Sequence, residues 1–375
     1  MRGIAYSSVN KKGRICPMPR RKKASYDPFL TGSFSPKVCF LCGTRLSKVN
    51  RTGEHVFPQW LIRHFHLNTR SLKNHAVDEQ GNLSHGRSYE QIQLPCCRTC
   101  NSVVLAPVEA RLQDALVVKR SDESSVDSDL FVWAAKIFYG YYLREQLDGY
   151  FDLAASVRND AADYSGLRTI FLFLQSVRFG FELRGDYFFQ LVECPLGFPA
   201  SAIVFNVKLH RDVQDQFDYK DDWRHECVYL RLGKKAILVA FDGGYLLHHG
   251  GHFFSDYRQQ LLHPKQMEEL AARFFHMAEV RRDQFRFVKY EEKGKTILDY
   301  DATGVQPWPI NQHAILSKPA FDLDENSARR YVQLLSQFTR QKIENISSPD
   351  GNVTSWLKGP DSAFLDIDVD KHPHG

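Results

Sequence analysis

The chain has 375 residues, 43% hydrophobic and 25% charged, with a net charge of +5. That balance excludes a disordered chain, and no apolar run reaches the roughly 20 residues a bilayer crossing needs, so no membrane partner is expected. The length suits two or three domains. Eight Cys and a basic, non-apolar N-terminus fit reduced thiols in the cytoplasm better than a secreted disulfide framework.

The charge is unevenly spread. Residues 1–53 carry twelve Lys or Arg against one acid, Asp27. Such a front end suits a polyanionic partner. Residues 1–35 hold Lys11, Lys12, Arg20, Arg21, Lys22 and Lys23 among Pro, Gly and Ser, without an apolar period. They read as a flexible basic arm that grips nucleic-acid phosphates through charge and counterion release.

Lys37–Gly43 reads as a metal knuckle around Cys39 and Cys42. Arg51-Thr-Gly53 is a turn, and Glu54-His55-Val-Phe-Pro58 leaves it extended. Trp60–Leu67 suits one or two helical turns, and the polar residues 68–88 suit a loop insertion. Tyr89–Leu94 alternates as a strand and leads into a second knuckle, Cys97-Arg-Thr-Cys100. Asn101 to about Lys119 has helical spacing that Pro107 either starts or kinks.

Residues 120–128 are polar and mark the best domain boundary. Beyond them, residues 129–345 predict a larger mixed α+β domain. Its elements are an aromatic helix over Asp129–Gln146, an ambiguous Ile170–Leu174, and strands at Tyr187–Val192 and Ala202–Val207. A hairpin then joins Cys227–Leu232 to Ala236–Phe241. A helix over Pro264–Arg282, a hairpin joining Phe285–Tyr290 to Lys295–Tyr300, and a helix over Glu325–Ile343 follow. His248-His249-Gly-Gly-His252 reads as a loop with incidental His, and residues 346–375 as a loose tail.

Two Cys-x-x-Cys pairs present four sulfurs from two tight turns, which suits a closed tetrahedral zinc site of Cys39, Cys42, Cys97 and Cys100. Cys96 is an alternative to Cys97, but only Cys97 completes the spacing with Cys100. Such a zinc does no chemistry itself.

The combination resembles the HNH endonuclease family: Cys-x-x-Cys, an acid-His pair on an extended segment, then Cys-x-x-Cys-Asn opening a helix. The match covers about residues 36–116. It implies a small zinc-stapled treble-clef domain with a ββα-metal core over residues 36–119, within an α+β chain. It also implies His55 as general base, Glu54 and Asn101 as ligands of Mg²⁺ or Mn²⁺, and hydrolysis of DNA phosphodiester bonds. Two departures stand out. The acid is Glu where Asp is commoner, and only Gln91 or Gln93 stands where the family has its middle Asn. Glu109 either adds a carboxylate or, the preferred reading, is a solvated helix residue, and His64 and His66 read as surface residues near the phosphate path. By analogy the setting is phage defence or a mobile element, with residues 129–345 serving a protein partner, self-association or substrate positioning. The alternative is a non-catalytic zinc module that binds nucleic acid or protein.

Overall fold

A computed structural model describes residues 26–72, 87–118, 126–153, 166–182, 189–191, 200–209, 216–242, 244–281, 285–292, 295–302, 321, 325–343 and 355–357. The chain is mixed α+β. Its first helix, α1 (Pro28–Thr31), is a single turn whose N-cap Asp27 accepts a hydrogen bond from the Phe29 N–H. Asp27 is buried and pairs with Arg168 at 3.0 Å, and Phe29 is buried beside it. The expected arm to residue 35 therefore ends earlier, because Tyr26–Phe29 pack into the core. Lys11, Lys12, Arg20, Arg21, Lys22 and Lys23 lie outside the described residues.

Next come β1 (Arg51–His55), α2 (Gln59–His64), β2 (Ser71–Leu72), β3 (Arg87–Ser88), β4 (Gln93–Cys97) and α3 (Ala106–Gln113). β1 and β4 pair antiparallel, from Arg51 opposite Cys97 to His55 opposite Gln93. β2 and β3 close the loop insertion with a two-residue ladder. The strand expected over Tyr89–Leu94 lies later: Tyr89–Gln91 form a 3₁₀ turn, and the strand runs into the knuckle itself. Before α3, Cys100–Leu105 form a wide π-helical turn in which the Ala106 N–H reaches the Asn101 carbonyl. Pro107, which has no N–H to give, then falls in the first turn of α3.

The larger part contains α4 (Val126–Leu147), α5 (Gly166–Glu182), β5 (Phe189–Leu191), β6 (Ser201–Val207), β7 (Phe217–Asp222), β8 (Cys227–Leu232) and β9 (Lys235–Ala240). It continues with α6 (Tyr245–Arg258), β10 (Leu261–Leu262), α7 (Pro264–Val280), β11 (Phe285–Glu292), β12 (Lys295–Ala302) and α8 (Glu325–Thr339). A five-stranded sheet has the order β10-β6-β9-β8-β7, antiparallel except for β10 against β6. β11 and β12 pair antiparallel as expected, and β5 joins β12 in parallel.

The five-stranded sheet is a wall between two cores. Val228, Leu230, Ile237 and Val239 face the core shared with α4, α5 and the β1–β4 hairpin. Tyr229, Leu238 and Ala240 face the core shared with α6, α7 and α8. Strands covered on both faces read as unbroken apolar runs, which is why β8 and β9 stood out in the sequence. The boundary at residues 120–128 does not separate two cores, since Phe57 of the hairpin segment packs against Tyr219 of β7 at 5.0 Å between ring centres. Ile170–Leu174 resolves as helix within α5.

Two further expectations are corrected. His248–His252 is not a loop but the middle of α6. Gly250 faces the Met277 side chain of α7, whose terminal methyl would have to shift to admit a Cβ there. Part of the tail is also fixed: Trp356 is 1% exposed, its carbonyl accepts from Gln266 Nε2, and its N–H donates to Glu269. No helix among the described residues is long and apolar enough to cross a membrane. Trp356→Ala leaves a large cavity beside α7 and should lower stability by about 3–5 kcal/mol. Thermal or denaturant unfolding measures this, and an unchanged midpoint would restore the loose tail.

Candidate functional site

The two knuckles meet at the end of the β1–β4 hairpin. The Sγ atoms of Cys39, Cys42, Cys97 and Cys100 all lie within 4.8 Å of one another, with Cys42 and Cys97 at 3.7 Å. Tetrahedral zinc with bonds of about 2.3 Å needs S···S separations of about 3.8 Å, so a small contraction would close the set around the metal. The first knuckle turns because Gly43 takes a left-handed φ of 70° and its N–H bonds the Cys39 carbonyl. In the second, the Cys100 N–H points at Cys97 Sγ. Cys96 sits on the opposite face of β4 from Cys97, with its Sγ 4.0 Å from Cys39 Sγ. The group that could hold a metal contains Cys97 and not Cys96.

Strand alternation gives β1 two different faces. Gly53 and His55 point outward, Thr52 and Glu54 inward. His55 is half-buried, and its Nε2 lies 3.0 Å from Gln93 Nε2 and 3.2 Å from Gln59 Nε2. Both amides are oriented by other partners. Gln93 Nε2 also donates to the Glu90 carbonyl, and Gln59 Oε1 accepts from Arg63 Nη2 at 2.7 Å. Each therefore presents an N–H to the imidazole, so His55 Nε2 is the acceptor and the ring proton sits on Nδ1. Burial, with the nearby charge of Lys136, pushes the His55 pKa below its usual value, which favours this neutral form. Beside it is a hollow of about 270 Å³ lined by Gln59, Ile62, Arg63, His66, Asn68 and Glu90. His66 faces this hollow, whereas His64 is exposed with its ring against Phe65.

The inner face differs from expectation. Glu54 is 5% exposed, and its Oε1 accepts from Lys136 Nζ at 2.7 Å. Lys136, buried on α4, also donates to the His55 carbonyl at 2.7 Å and to Glu109 Oε1 at 2.5 Å. Burial opposes the lysine charge, but the two carboxylates outweigh it and hold Lys136 above its usual pKa, as an ammonium. Asn101 spends its amide Nδ2 on the Gly53 carbonyl at 3.1 Å and on Thr52 Oγ1 at 3.3 Å. Glu54 is thus paired internally with Lys136, whereas the bonds of Asn101 use its amide nitrogen and not Oδ1, the atom that would ligate Mg²⁺ or Mn²⁺. One carboxylate is neutralised internally, and the amide buttresses β1.

Sequence reasoning missed Lys136 altogether and took Glu109 for a solvated residue. The one available signal was a Lys at helical spacing among apolar neighbours, between Trp133 and Tyr139–Gly140, where a charge must find a buried partner. Comparison with protein-family profiles, with curated proteins and with solved structures finds no match to the chain. The four-Cys group predicts about one zinc per chain by metal analysis. Cys42→Ser or Cys97→Ser should lose it, whereas Cys96→Ser should keep it; loss on Cys96→Ser alone would reassign the ligand.

Proposed function

We propose that the zinc-stapled hairpin and the helix after it form an HNH-type endonuclease centre that hydrolyses phosphodiester bonds in DNA, with His55 as general base. The observation that carries this reading is the imidazole lone pair. Nε2 is fixed as an acceptor at the open face by two amides whose own orientations are set from outside. A water that replaced one amide N–H would find a neutral base directed at its proton. Arg63, exposed and joined to His55 through Gln59, offers a cation for the phosphate whose charge grows as the water attacks. Lys37, Arg45, Lys48, Arg51 and Arg98 are exposed around the knuckles, which supports a polyanionic substrate.

Plasmid cleavage by wild type and by His55→Ala tests the reading. Wild type should nick supercoiled DNA, and His55→Ala should lose about 10²- to 10⁴-fold in rate with zinc content and melting temperature unchanged. Equal cleavage by both would sink the role of His55. The non-catalytic reading draws on one specific observation, that the Glu54 carboxylate is buried and paired with Lys136. DNA binding without cleavage under any cation would favour it.

The pH profile is a separate check. His55 acts neutral, and its depressed pKa keeps it neutral at lower pH than a free imidazole. The acid limb of the rate profile should therefore have its midpoint below about 6.5. A midpoint above that value would contradict the environment described for His55.

A further inference from the structure

Lys136 is separated from Glu54 by 82 positions in the chain, yet its ammonium is the meeting point of the hairpin and α3. An ammonium has three N–H donors, and here each has an oxygen: Glu54 Oε1, the His55 carbonyl and Glu109 Oε1. Two carboxylates and one carbonyl, all 2.5–2.7 Å from one point, are also the hard-oxygen donors of a divalent cation. The radius is close to Ca²⁺–O distances of about 2.3–2.6 Å and wide for Mg²⁺ at about 2.0–2.1 Å.

We propose that Lys136 is the resident cation of this centre: its ammonium stands where a divalent ion would, keeps that ion out of the folded protein, and holds the His55 backbone in place. Without the lysine, Glu54, Glu109 and the His55 carbonyl become a site for Ca²⁺ or Mn²⁺. The proposal goes beyond the endonuclease reading and holds whether or not His55 turns over DNA.

The ammonium cannot simply step aside. α4 is anchored on both sides of Lys136. Trp133 stacks on Trp60 at 6.2 Å, and Gly140 lies so close to the hairpin that a Cβ would meet Leu94 Cδ1 at 2.9 Å and Val56 Cγ2 at 3.2 Å. A metal entering beside Lys136 would leave a buried ammonium stripped of its acceptors, which is unfavourable in a protein interior. Among the ligands, the carbonyl has a separate consequence. It belongs to the residue whose imidazole faces outward, so Lys136 is a positioning residue for His55.

The test uses zinc-loaded full-length protein, with bound Mn²⁺ counted by the loss of the free-ion paramagnetic signal and melting followed with and without Ca²⁺ or Mn²⁺. Wild type should show no bound Mn²⁺ that Glu54→Gln removes, and no rise in melting temperature. Lys136→Ala should melt several degrees lower, gain one Mn²⁺ per chain and recover on adding Mn²⁺ or Ca²⁺. The double variant Lys136→Ala with Glu109→Gln should bind at least tenfold more weakly. Lys136→Met, which fills the space without charge, should gain no ion. If Lys136→Ala folds only when Ca²⁺ or Mn²⁺ is supplied, that supports the proposal equally, whereas failure to fold with or without them overturns it. A wild-type Mn²⁺ site lost on Glu54→Gln would also overturn it, as would equal Mn²⁺ binding by the single and double Lys136 variants.

Discussion

The arrangement around His55 depends on one buried ion cluster, the Lys136 ammonium shared by Glu54, Glu109 and the His55 carbonyl. Its origin is the two-residue period of a strand. β1 must turn alternate side chains inward, and one of those is Glu54. A lone carboxylate there would face a desolvation cost that only a charged partner offsets. α4 supplies that partner, and α3 adds a second carboxylate. Three segments far apart in sequence are therefore held by one nitrogen, and removing Lys136 leaves two carboxylates without their shared cation.

The same alternation separates structure from proposed chemistry. Inward, Thr52 and Glu54 are bound to Asn101 and Lys136. Outward, the half-buried His55 turns its Nε2 to the side-chain amides of Gln93 and Gln59. A one-residue slip of β1 against β4 would exchange these faces, burying the imidazole and exposing the acid. The register is fixed by the knuckle at one end, where Arg51 pairs with Cys97, and by Leu94 opposite Glu54 near the other. Gln93, which stands opposite His55, places its amide nitrogen 3.0 Å from the ring Nε2.

What the sequence disclosed and what it hid divide along the range of the interactions. The Cys group was legible because each Cys-x-x-Cys turn is local and sulfur has few other reasons to recur at that spacing. α4, α7 and the β8–β9 and β11–β12 hairpins followed from apolar periodicity, whereas β1 has no apolar residue and takes in Arg51–Gly53, which read as a turn. The ends of β4 did not follow either, because Tyr89–Leu94 alternates like a strand yet Tyr89–Gln91 close a 3₁₀ turn. α6 was hidden by Gly244, Gly250 and Gly251, whose low helix propensity is overridden where Gly250 meets Met277. β7 is rich in Asp and Lys, so its inward Phe217 and Tyr219 were not seen. The fate of Glu54 was not readable at all. An acid beside a histidine serves equally as a metal ligand or as half of a buried pair, and the deciding residue is 82 positions away.

The four-cysteine group and the lysine cluster constrain opposite ends of a short hairpin. The sulfurs gather at the Arg51–Cys97 end, while Lys136 binds at Glu54 and His55. The ends are four residues apart, about 13 Å at the usual strand rise. The sulfur group alone would fix where the hairpin starts but leave its far end to the weak pairing of two five-residue strands. The lysine clamp fixes that far end against a helix rooted in the main core. His55 therefore owes its position less to the metal group that makes the motif recognisable than to a helix outside the motif. A chain that kept the knuckles and the acid-His pair but lost the buried lysine would retain the motif and not the geometry.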